Sequence, residues 1–116
     1  MSVSFTEMVR KARKLASDFQ DISDEQKESQ TFWNQFFDVF GQDRRQLANF
    51  EKRITKSDGA SGRIDVFWPS ELIVEQKSRG KSLDKAKNQA TEYLTGIDEH
   101  EYPKRLIVSD FDKIRV

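Results

Sequence analysis

A mixed α/β fold, with helices at the front of the chain and a central mixed sheet flanked by helices behind them, is what this sequence predicts. Three observations carry that expectation. Apolar residues recur at helical spacing twice before Gly41; apolar runs of strand length, separated by turn formers, follow between Phe50 and Lys77; and one further helix and strand close the chain. Residues 1–49 therefore read as a helical N-terminal part and residues 50–116 as a sheet core with its own helix, all within one domain of 116 residues.

Ser4-Phe5-Thr6-Glu7 is a capping-box pattern, and Phe5, Met8, Val9, Ala12, Leu15, Ala16 and Phe19 then recur every three or four residues. A first helix over Phe5 to Phe19 follows, with Arg10, Lys11, Arg13 and Lys14 on a solvated face. Ser23 and Gln26 offer a second capping box. The helix behind it carries Phe32, Trp33, Phe36, Phe37, Val39 and Phe40 as a core face and stops at Gly41, a residue suited to a left-handed C-terminal position. One or two helical turns are expected between Asp43 and Asn49.

Phe50 to Ile54 alternates as a strand should, and Lys56 to Gly62 is rich in turn formers. Gly62 to Trp68 and Leu72 to Lys77 are two more strands. Ser82 is placed to cap a helix whose stripe is Leu83, Ala86, Ala90, Tyr93 and Leu94, ended by Gly96. Arg105 to Ser109 is a final apolar strand reached by a crossover, which predicts that it lies parallel to the Leu72 strand. Lys113 to Val116 resembles the start of another strand, and this apolar ending points to a domain cut from a longer polypeptide.

Composition narrows the chemistry. The chain has no cysteine and one histidine, His100, so thiolate or histidine-rich metal sites and a cysteine nucleophile are excluded. Carboxylates and lysines are what remains, and oxygen ligands favour magnesium, manganese or calcium. Twenty basic and twenty acidic side chains cancel, unlike an autonomous nucleic-acid binder. No apolar run has the length of a membrane span, so no membrane partner is expected and a cytoplasmic location is. His100 reads as a solvated loop residue.

The residues that demand a chemical explanation are Asp65, Glu75 and Lys77. Carboxylates inside strands of Ile, Val, Phe and Leu are costly to desolvate unless a cation or hydrogen bonds compensate them, and a divalent metal is the leading candidate. Glu75 and Lys77 share a face with Ile73. A three-residue turn at Pro69-Ser70-Glu71 sets Asp65 opposite Glu75, Phe67 opposite Ile73 and Arg63 opposite Lys77; a two-residue turn at Pro69-Ser70 sends the acids to opposite faces. In the first register two carboxylates stand about 5 Å apart and repel unless a cation sits between them. Metal-assisted phosphodiester hydrolysis is then the reaction class, with Lys77 orienting the attacking water. The bland alternative is structural ion pairing of Asp65 with Arg63 or Lys77. The same tripeptide pattern at Glu25-Gln26-Lys27 has no chemical role.

Asp65, nine intervening residues and Glu75-Gln76-Lys77 together resemble the motif of the PD-(D/E)XK nuclease superfamily, with Ile64 in place of the proline. The stretches Glu28 to Gly41, Gly62 to Trp68, Glu75 to Ala86 and Leu106 to Phe111 are similar, in order, to the N-terminal domain of MmeI-like (type IIG/IIL) restriction-modification enzymes. The resemblance implies a restriction-endonuclease-like core, with Asp65 and Glu75 as metal ligands, Lys77 as catalytic lysine and the Gln76 carbonyl in the metal shell. It also implies that Glu28 reaches the metal from the early helix and that Gln89 stands beside the site. Mg2+ is the implied cofactor, with Mn2+ as substitute, and double-stranded DNA the substrate.

An adenine-N6 DNA methyltransferase and a target-recognition domain are implied in the same polypeptide. S-adenosylmethionine belongs to that missing part, since no Gly-rich cofactor loop or Asn-Pro-Pro-aromatic motif occurs here. Transient self-association on DNA is expected because a duplex needs two scissions. The reading from another class is a catalytically silent module of the same fold. No residue is assigned to DNA contact from the sequence.

Overall fold

A computed structural model describes residues 3–116, and at Glu25 the backbone alone. Helix α1 spans Phe5–Asp18 and α2 spans Glu25–Val39. The Ser4 hydroxyl accepts from Glu7 N–H as the sequence predicts, but the Glu7 carboxylate turns to Arg10 Nε (2.8 Å) rather than back to the cap, so only half of the capping box forms. The second helix is capped one residue later than expected. Asp24, not Ser23, accepts from Gln26 N–H and Lys27 N–H, because its longer reach and charge suit the helix N-terminus. Gly41 follows α2 with φ of 73°, the left-handed position that glycine adopts without strain.

Helix α3 is a single turn, Arg44–Leu47, and leads into strand β1, Asn49–Thr55. Strand β2 covers Ser61–Trp68, β3 Leu72–Gln76, β4 Arg105–Ser109 and β5 Ile114–Arg115, with α4, Leu83–Tyr93, between β3 and β4. Helix α4 ends by tightening into a 3-10 turn, Leu94–Gly96, and a second such turn covers Glu99–Glu101. The sheet order is β1-β2-β3-β4-β5, antiparallel throughout except for the parallel β3-β4 pair that the crossover through α4 requires.

Helices α1 and α2 cover one face of the sheet, and α4 the other. The first face packs Phe19, Phe32, Trp33, Phe37 and Phe111 against Val66, Val74 and Ile107. Its rings meet edge to face, with centroids 5.1 Å apart for Phe19 and Phe32 and again for Phe32 and Trp33. The second face packs Ala90, Tyr93 and Ile97 against Ile54, Ile64, Phe67 and Ile73. Two apolar expectations need correction. Phe40 is 50% exposed and Phe5 77% exposed, and Ala12 and Ala16 on α1 are exposed too, because α1 packs mainly against α2 and buries only a narrow stripe, Leu15 with Phe19 at its end.

Candidate active site

The turn between β2 and β3 has three residues, Pro69-Ser70-Glu71, with Ser70 in the left-handed region at φ 67°. Phe67 accordingly pairs with Ile73, and Val66 with Val74, which puts Asp65 one step on, across from Glu75. The backbone ladder stops there. Gln76 N–H, the next donor along β3, is taken at 2.7 Å by the Asp65 carboxylate itself. On the other side of β2 the pairing runs from Phe50↔Val66 to Lys52↔Ile64 and skips Glu51 and Asp65.

Glu51 adopts φ of 52°, unusual for a residue with a side chain. Ile64 and Phe67 both pack on the α4 side while Val66 packs on the other, so strict alternation along β2 breaks at Asp65. The expected pairing of Arg63 with Lys77 is thereby lost. Arg63 stands instead across from Arg53 on β1 and faces Glu51 at 3.9 Å.

Strand β3 does alternate. Val74 and Gln76 point to the α1/α2 face, where Gln76, wholly buried, accepts from Trp33 Nε1 at 2.8 Å and donates to the Lys77 carbonyl at 2.8 Å. Ile73 and Glu75 point to the α4 face. The Glu75 side chain is 6% exposed, with Lys77 Nζ 3.5 Å from its Oε1. Its Oε2 is buried and has no hydrogen-bond partner among the described residues. Burial first and the neighbouring Asp65 charge second push the Glu75 carboxyl up to about 8, against a weaker pull downward from Lys77.

Helix α4 completes the group. Lys77 Nζ donates to Gln89 Oε1 at 2.6 Å, and Gln89 Nε2 donates to Tyr93 Oη at 2.6 Å, one helical turn further on. Desolvation, then the charge of Glu75, raises the Tyr93 phenol above its ordinary 10. Gly62 on β2 makes room for this tyrosine: a Cβ there would lie 2.6 Å from Tyr93 Cε1.

These side chains border a polar cavity of about 740 Å³, lined by Asp65, Glu75, Gln89 and Tyr93 below and by Gln26, Ser29 and Gln30 of α2 to one side. Glu51, Arg53, Ser61, Gly62 and Arg63 line it from the β1-β2 ribbon. The fold thus gathers Asp65, Glu75, Lys77 and Gln89. Glu28 is half-buried on α2 but outside the cavity lining, where Ser29 and Gln30 stand instead, and the Gln76 side chain lies on the opposite face with only its main chain beside Asp65. The look-alike tripeptide beginning at Glu25 sits on the first turn of α2, its glutamate side chain outside the described residues.

A family model described as MmeI, N-terminal domain, matches residues 7–116, which is nearly the whole chain. The chain belongs to that family. Membership bears out the resemblance to MmeI-like enzymes carried by the stretches Glu28 to Gly41, Gly62 to Trp68, Glu75 to Ala86 and Leu106 to Phe111, and at a coarse level it sets the MmeI-type domain within restriction-modification chemistry directed at DNA. No curated protein and no solved structure matches the chain.

Tyr93, Glu51 and Arg53 are among the cavity residues of this MmeI-type domain that sequence reading did not assign to the site. Tyr93 reads only as a member of the apolar stripe, although its i, i+4 spacing from Gln89 is the signal that would have joined the two. Glu51 and Arg53 carry no signal in one dimension, since the strand break that turns them toward the cavity comes from pairing. One other acidic group, Asp98, His100 and Glu101, has its ligand atoms within 4.8 Å of one another on the surface, away from this cavity. His100 is exposed, as expected.

The donor set fits a hard divalent cation. Asp65 and Glu75 supply oxygen at one point, and a buried carboxylate oxygen without a partner, on a group held protonated into the neutral range, is a site short of positive charge.

Proposed function

We propose that this chain is the metal-dependent endonuclease domain of a restriction-modification enzyme, of PD-(D/E)XK type, hydrolysing phosphodiester bonds of double-stranded DNA. The observation that carries the reading is the unpartnered Glu75 oxygen beside Asp65 at the floor of a polar cavity, with an ammonium 3.5 Å away. Asp65 and Glu75 would hold Mg2+, or Mn2+ in its place. The chemistry such an ion supplies when bound is Lewis acidity toward a phosphoryl oxygen and toward water.

The chain's own residues do the rest. Asp65 is aimed by the Gln76 N–H, which fixes one of its carboxylate oxygens at the edge of the cavity. Lys77, held by Gln89 and through it by Tyr93, orients the attacking water and steadies its hydroxide form. Holding Asp65 and Glu75 on strands, Lys77 directly after one and Gln89 on a helix keeps them in place without reorganisation during the reaction.

The same reading places an adenine-N6 methyltransferase with S-adenosylmethionine, and a target-recognition domain, in one polypeptide with this chain, in the cytoplasm. It leaves transient pairing of two such enzymes as the route to a double-strand break.

Nicking of supercoiled plasmid with Mg2+ and with Mn2+, alongside calorimetric titration of Mn2+, tests it. Mn2+ should bind the parent chain and bind far more weakly to Asp65→Asn and Glu75→Gln. Lys77→Ala should keep the ion but lose about a hundredfold or more of nicking. Nicking that is indifferent to Lys77→Ala, or an absence of Mn2+ binding, leaves the chain a silent module of the same fold.

A further inference from the structure

The cavity just described is acidic at its floor, and a DNA strand brought to it carries negative charge as well. Glu51, Asp65 and Glu75 all line it, and the cations among its lining residues are Arg53 and Arg63. These two occupy directly opposed positions on β1 and β2. Like charges set opposite each other across an antiparallel pair destabilise the sheet.

Little in the protein offsets that repulsion. Arg53 is exposed and has no carboxylate within ion-pair distance among the described residues, while Arg63 faces only Glu51, at 3.9 Å with both side chains more than half exposed. An exposed pair at that separation contributes close to nothing. A residual like-charge contact at the rim of a candidate active site is what an anion-binding position requires. Guanidinium groups are suited to it because each offers paired N–H donors to phosphate oxygens.

We propose that Arg53 and Arg63 together bind a backbone phosphodiester of the DNA strand, flanking the one presented to Asp65 and Glu75. The inference rests on the hydrolytic reading for the identity of the strand, and on the geometry of the ribbon for the site itself. The contact is to phosphate and carries no sequence information, so it orients the strand over the acidic floor while leaving site choice to other parts of the enzyme. In a chain of zero formal charge, two arginines beside the acidic floor supply local positive charge where a strand would lie.

The test is anisotropy of a short fluorescent duplex titrated with this chain in Ca2+ over a salt series, comparing the parent with Arg53→Gln, Arg63→Gln, the double variant and the double lysine variant. Each glutamine substitution should weaken binding about three- to tenfold and lower the slope of log affinity against log salt by about one, and the lysine pair should keep most of the slope. Because both side chains are exposed, the thermal midpoints of the glutamine variants should equal or exceed the parent's. Inorganic phosphate should compete with DNA in the parent and not in the double glutamine variant.

Equal affinity and equal slope for parent and double glutamine variant overturn the proposal, as does no binding by the parent at the lowest salt. Phosphate competition without any change in DNA affinity would mean a small-anion site and overturn it too. The plasmid-nicking comparison of Lys77→Ala separately decides the hydrolytic reading, so the two can fail independently.

Discussion

Gln76 and Glu75 are neighbours on one strand, both buried, and they are treated in opposite ways. On the α1/α2 face Gln76 has its acceptor filled by the Trp33 indole and its amide filled by a backbone carbonyl. On the α4 face Glu75 keeps an oxygen with no hydrogen-bond partner among the described residues and a carboxyl held protonated well above its ordinary range. One face is closed chemically and the other is left open. A buried polar group without a partner costs about 1–3 kcal/mol, so on the proposed reading the contrast separates a residue that serves folding from one that serves a ligand.

The largest effect that should follow from this contrast is on the closed face. Trp33→Ala removes a fully buried ring and strands the Gln76 acceptor, and should cost about 3–5 kcal/mol in urea unfolding, enough to unfold a marginal domain. Trp33→Phe, which keeps most of the volume and loses the donor, should cost about 1–3 kcal/mol.

The same kind of change on the open face should do the reverse. Glu75→Gln should abolish nicking by roughly a thousandfold while stabilising the metal-free protein. The sign follows from the folded-state carboxyl near 8 against an ordinary value of 4.5: between those values the folded state binds the extra proton. Stability of the metal-free parent therefore falls as pH rises through that window, by about 1.4 kcal/mol per unit at most, and levels off above it. Unfolding in EDTA from pH 5 to about 9 should show the slope in the parent and a flat line in Glu75→Gln. Adding Mn2+ should stabilise the parent more at the alkaline end.

Gly62→Ala probes the support of the open face. Its methyl group would press on the Tyr93 ring, which must shift and take Gln89 and then Lys77 with it. Nicking should fall about tenfold or more, with an unfolding penalty of about 1–2 kcal/mol.

The smallest effect is expected at Asp110, just after β4. Burial pushes its carboxyl up, but the backbone N–H groups of Lys113, Gly80 and Asp112, with Arg79 nearby, outweigh burial and hold it below 3.8. It thus contributes stability above 3.8 that is lost as pH falls through its folded value. Asp110→Asn should cost about 1 kcal/mol at neutral pH and nothing in strong acid, measured by the acid unfolding transition.

Much of this architecture was readable beforehand from local chemistry. The caps at Ser4 and Ser82 and the stop at Gly41 follow from residues within a few positions of the feature they define, and the parallel β3-β4 pair follows from the order strand, helix, strand. The errors share one cause. Phe40, Phe5 and the alanines of α1 have the right spacing for burial, yet what covers a helix face is decided by its neighbours.

By itself the sequence determined the elements and the reactive inventory: two carboxylates and a lysine on consecutive strands, no thiol, and a glutamine one turn before a tyrosine. Only the tertiary structure decided that the acids share a face, since register across a turn depends on one residue more or less. It alone broke the alternation of β2 at Asp65, set the exposed Glu51 and Arg53 at the edge of the same cavity, and left one buried oxygen unanswered among the described residues. Those outcomes depend on cross-strand pairing and desolvation, which link positions far apart along the chain and leave no trace in local spacing.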